Sequence, residues 1–93
     1  MTLNNFGCYY KKKRKPNAAL KYLKAALNLE KADRGITKVE LAGTYLNLCA
    51  IYSGLSRHMD AVKNAVKAIH LLKRSLRDID KKKSRKSNIK YVD

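Results

Sequence analysis

The chain has 93 residues, of which 22 are lysine or arginine and 7 are acidic, so its formal net charge is +15. A chain this short makes at most one small domain with a modest core and marginal stability. It shows neither an apolar run near the ~20 residues of a membrane span nor an apolar stretch after a basic start, as a secretion signal has; an intracellular protein is expected, cytoplasmic or cytoskeletal rather than nuclear, without a membrane.

With one proline and four glycines, the chain favours helix throughout. Leu3, Phe6, Tyr9 and Tyr10 recur at helical spacing and predict a first helix over residues 2–13, ending in Lys11, Lys12 and Lys13, where cations complement the helix dipole. Pro16 breaks the chain, and Asn17 is placed to cap a second helix running to about Ala32. Leu20, Leu23, Ala26 and Leu27 form its inner face, and Gly35 is suited to a left-handed cap behind it. A third helix should begin near Ile36 or Thr37 and end by Ser53 and Gly54. Ser56 reads as the N-cap of a fourth, with Asp60 in the first turn.

The fourth helix carries a stripe of Val62, Ala65, Val66, Ile69, Leu72, Leu76 and Ile79. Beyond it lies the basic cluster Lys81, Lys82, Lys83, Arg85 and Lys86, read as a solvated arm. Ile89, Tyr91 and Val92 resemble the opening of another first helix.

The chain repeats itself. A shift of 42 residues carries Leu3 onto Tyr45 and pairs Asn5 with Asn47, Phe6 with Leu48, Gly7 with Cys49, Tyr10 with Tyr52, Ala19 with Ala61, Leu20 with Val62, Ala26 with Ala68 and Leu27 with Ile69. Small residues meet small ones and apolar residues meet apolar ones, which is the mark of a repeat architecture. The small positions let helix axes approach closely while large side chains fill the gaps beside them. Cys8 and Cys49 fall in matching first helices and read as buried, reduced thiols.

These residues resemble the tetratricopeptide repeat. Leu3, Phe6, Gly7, Tyr10, Ala19, Leu23 and Ala26 follow its pattern, and so do Tyr45, Leu48, Cys49, Tyr52, Ala61, Ala65 and Ala68. Cys49 departs from the usual glycine and Ala65 from the usual large residue. The period is longer than the ~34 residues of the plain repeat, like the long-period repeats of kinesin light chains. The resemblance implies an all-α fold of two stacked antiparallel helix-turn-helix units: residues 1–35, then 36–80 with an extended last helix. Residues 81–93 form a basic tail or the start of a further repeat.

In proteins of this family, successive first helices line a groove that holds a partner peptide. By resemblance, Asn5 and Asn47 face that groove, with Lys11, Lys12 and Ser53 along the same face; a basic rim beside two amides suits an acidic peptide. The same asparagines read equally well as half-buried residues bridging helices. Two units lack the third that such repeats normally need, so Val62, Ile69, Leu72, Leu76 and Ile79 are expected to dock a neighbour in a larger assembly. The cluster at residues 81–86 suits phosphates of RNA or acidic protein tails such as those of microtubules, without base recognition. The run from Lys11 to Lys15 reads as a charged helix end sooner than as an import signal.

Chemistry finds little to work with. There is no Gly-rich phosphate loop, no paired carboxylates in a plausible cleft, and only two histidines, His58 and His70. No catalytic residue, cofactor or metal is expected.

Overall fold

The computed structural model describes the backbone of residues 2–91 and the side chains of residues 2–82. Among these residues there are four helices and no strand: α1 (Leu3–Lys12), α2 (Pro16–Ala32), α3 (Lys38–Gly54) and α4 (His58–Tyr91). Each helix packs on the next in the chain, and α1 also touches α3. Among the described residues, no helix is long and apolar enough to cross a membrane.

The helices run antiparallel along one core. Ala19, Leu20 and Leu23 of α2 pack with Leu48, Ile51 and Tyr52 of α3 and Ala61 of α4. Further along, Ala42 and Tyr45 of α3 meet Ala68 of α4, with Leu27, Leu71 and Leu72 closing the edge. Tyr22 of α2 lies stacked between Phe6 and Tyr10 of α1, at ring separations of 5.5 and 5.3 Å. Gly7 permits this close approach: a Cβ there would stand 2.5 Å from Cγ of Leu23, which is fully buried.

The two helix hairpins turn in the same way. Arg14 and Ser56 both adopt left-handed backbone conformations, at φ 58° and 60°. The next N–H, of Lys15 or Arg57, donates to the carbonyl of Tyr10 or Tyr52 at 2.9 Å in both cases. The N–H groups of Arg14 and Ser56 donate to the carbonyls of Lys11 and Ser53. These are Schellman caps, which satisfy the last carbonyls of a helix and redirect the chain. Every residue in one turn lies 42 positions from its counterpart, so the repeat extends to hydrogen-bond geometry.

Several local expectations are corrected. Asn17 does not cap α2; the helix starts one residue earlier, with Pro16 in its first turn, where the missing N–H costs nothing, and no side chain caps it. Gly35 is not left-handed; its N–H donates to Oδ1 of Asp33 at 2.8 Å, so a side-chain turn ends α2. Ser56 is the left-handed turn residue, two positions ahead of α4, and not its N-cap. Thr37 caps α3: its hydroxyl accepts from the N–H of Glu40 at 3.1 Å, and Oε2 of Glu40 accepts from the N–H of Thr37 at 3.0 Å. The basic run after Ile79 is no irregular arm, since α4 continues to Tyr91. Val92, expected to help open a further repeat, lies outside the described residues.

Candidate interaction surfaces

The expected groove residues do not act as one set. Nδ2 of Asn47 donates to Oδ1 of Asn4 at 3.1 Å and lies 3.7 Å from Sγ of Cys8. Asn47 therefore ties α3 to α1, as its bridging reading expected, and its partner is Asn4 rather than Asn5. Asn5 is exposed, and its backbone N–H donates to the cap hydroxyl of Thr2. Lys11, Lys12 and Ser53 are exposed. Lys11 borders a cleft of about 370 Å³ between the two hairpin turns, lined also by Arg14, Pro16, Ala50 and Ile51.

A larger cleft, about 660 Å³, opens between the start of α1, the end of α2 and the first half of α3. Glu30 lies at its edge. Its Oε1 accepts from the hydroxyl of fully buried Thr44 at 3.0 Å, and its Oε2 is buried without a protein partner among the described residues. Asp33 and Glu40 border the same cleft but are engaged in the turns that end α2 and start α3.

The apolar stripe divides between two faces. Val62, Val66, Ile69, Leu76 and Ile79 are exposed. Leu72 is half-buried and packs towards Ala42, Tyr45 and Ala68, so it belongs to the core rather than to the docking row. The repeat shows what the row lacks: Leu20 of α2 is 7% exposed under α3, whereas its counterpart Val62 is 58% exposed. Sequence periodicity put both faces in one stripe because an apolar arc wider than one helix contact has no visible edge. Leu46 on the outer side of α3 was missed, although the 42-residue shift relates it to Asn4, which Asn47 meets, as it relates exposed Ala50 to Cys8.

Several cations are engaged by rings. Arg57 and Lys24 lie over Tyr52, at 4.9 and 5.9 Å from its centroid, and Lys67 and Lys31 over Tyr45, at 5.6 and 5.9 Å. Arg57 also pairs with Asp60 at 2.8 Å, and Lys38 at the start of α3 pairs with Asp78 of α4. The Asp78 carboxyl is held below the ordinary carboxylate range, chiefly by the hydrogen bond from Lys38 against the upward push of desolvation, and further by the charges of Lys38, Lys81 and Arg74. Lys81 and Lys82 are exposed, while the side chains of Lys83, Arg85 and Lys86 lie outside the described residues. The chain matches no protein-family model, no curated protein and no solved structure.

Proposed function

We propose that the chain is a non-catalytic protein-interaction module, a pair of tetratricopeptide-like helix hairpins that works as a subunit of a larger assembly. The observation that carries this is the open row on α4. Both hairpins turn through the same hydrogen bonds, yet only the first has its outer row covered by a following helix. Contiguous exposed apolar surface of that kind on a small domain marks an interaction site.

A capture experiment from native extract tests it, with Val62, Ile69 and Leu76 changed to serine in a parallel sample whose helicity is first checked by circular dichroism. A partner retained in moderate salt and lost with the serine variant is expected. Capture that ignores the variant would refute the reading.

One observation favours a second reading, an adaptor for RNA or another polyanion. The basic cluster stands on a continuous helix, so Lys81 and Lys82 extend along a rod instead of a loose arm. Binding of this kind loses orders of magnitude between low and moderate salt and is indifferent to the three serines.

A further inference from the structure

We propose that the open row of α4, together with the outer edge of α3, is a seat for an acidic amphipathic helix of a partner protein. The inference rests on the module reading above and names the chemistry of the occupant.

The chain holds its own template for the seat. Helix α3 lies over Leu20, Leu23 and Leu27 of α2 and reaches α1 through Asn47, which meets Asn4 and Cys8. Shifted by 42 residues, the first set becomes Val62, Ala65 and Ile69, and the second becomes Leu46 and Ala50. Ile69 is 51% exposed and Leu46 44%. The second seat is the more apolar one, for Leu46 replaces the hydrogen-bonding Asn4 and Val66 replaces Lys24. A seat shaped for one helix, with small residues Ala50 and Ala65 along it, favours a helix over a flat bilayer.

Two internal occupants are poor fits. Residues after Arg74 continue along α4, because Ser75, Leu76 and Arg77 stand where Asp33, Arg34 and Gly35 end α2. No turn returns a later described segment to the seat. A second copy would have to offer α1, the repeat counterpart of α3. There Leu48, Ile51 and Leu55 become Phe6, Tyr9 and Lys13, and Phe6 is already stacked on Tyr22.

Charge selects among outside occupants. The polar flank of α4 beside the row carries Lys63, Arg74 and Arg77, and Lys73 stands in line with the row itself. Of the described acids on α4, Asp60 and Asp78 are paired with Arg57 and Lys38, and Asp80, in line with the row just beyond Ile79, is one carboxylate against Lys63, Lys73, Arg74 and Arg77. Complementarity therefore asks for glutamate or aspartate beside an apolar stripe spaced i, i+3, i+4, i+7.

Fluorescence anisotropy with labelled model peptides tests this. One peptide carries leucine at those spacings with glutamate elsewhere, a second replaces every glutamate by lysine, and a third scrambles the first. The glutamate helix is expected to bind at least tenfold more tightly than the other two. Leu46→Ser with Val62→Ser should weaken it tenfold or more, and Lys63→Glu with Arg77→Glu should transfer the preference to the lysine helix. These side chains are exposed, so the variants keep the core. Equal affinity for the three peptides overturns the proposal. So does binding to phosphatidylserine vesicles with none to the glutamate helix, or a dimer in sedimentation equilibrium that Val62→Ser dissolves. If the glutamate helix fails while capture from extract still depends on the row, the occupant is wrong and the module reading stands. If neither depends on the row, both fall.

Discussion

Gly7 offers the sharpest test of how the hairpins pack. A Cβ at this position would lie 2.5 and 2.8 Å from Cγ and Cδ2 of Leu23, closer than such atoms approach. Leu23 is fully buried and cannot swing into solvent, so relief requires α1 and α2 to part or Leu23 to leave its rotamer. Overpacking of this kind costs about 1–3 kcal/mol, against a gain of about 1 kcal/mol in helix propensity from glycine to alanine. Gly7→Ala should therefore destabilise by up to about 2 kcal/mol, lowering Tm by roughly 4–8 °C per kcal/mol. Gly43→Ala and Gly54→Ala meet nothing within 4 Å and should stabilise by about 0.5–1 kcal/mol. The second hairpin supplies the deciding comparison. Its counterparts of Gly7 and Leu23 are Cys49 and Ala65, so the larger residue on one helix accompanies a smaller one on the other. In a Leu23→Ala background, Gly7→Ala should therefore become stabilising. Urea unfolding of the four members of this cycle reads the coupling. An equal cost for Gly7→Ala in both backgrounds would refute the packing argument.

The left-handed turns give a second expectation: Arg14→Gly and Ser56→Gly should each stabilise by about 1 kcal/mol, since only glycine holds that conformation without strain. Thermal melts check it, and a loss of stability in either variant would show that the side chain matters more than the backbone. Thr37→Ala should cost about 1 kcal/mol by removing the capping box of α3; an unchanged urea midpoint would contradict it. Asp78 has a carboxyl pKa lowered in the folded chain, so its contribution is present above the unfolded value near ~3.9 and is lost as pH falls through the lower folded value. Asp78→Asn should flatten that acid limb of the stability profile, with salt shrinking the difference. Superimposable profiles would show that the exposed pair contributes nothing.

The helical elements were legible because their signals are local and redundant. Leu3, Phe6 and Tyr10 mark α1 by spacing, Pro16 and Asp33 bracket α2, and Gly54 closes α3 within the expected residues. The caps were harder, since turn chemistry depends on what the rest of the fold demands. Arg14 and Ser56 are left-handed because the hairpins must reverse there, although neither residue type advertises that conformation. Thr44 gives no sequence sign that it will be fully buried against Glu30. The groove reading placed Asn47 with Asn5, whereas the turn of the helix brings Asn4 under it. Leu72 was assigned to the open row because a stripe in sequence does not say where a neighbouring helix stops covering it.

The length of α4 was misread for a different reason. A run of lysines looks like solvated chain, but lysine and arginine are good helix formers, and no glycine or proline follows Gly54. Helix α2 stops where Asp33 turns back on the N–H of Gly35; Ser75 and Arg77 provide no such turn. Grafting Ser75→Asp with Arg77→Gly should therefore end α4 there. Beyond Asp78 the helix has passed Lys38, the first residue of α3, and loses its packing partner. An unsupported segment of that kind is marginal in water, so the roughly 1–2 kcal/mol of lost propensity is enough to melt it. Hydrogen exchange should show lost protection after residue 78 and intact protection over Ala42 and Ala68; protection that persists to the helix end would refute the account. The same variant separates the two functional readings. If polyanion binding falls with the helix while the glutamate peptide still binds, the basic rod and the apolar seat are independent surfaces on one scaffold.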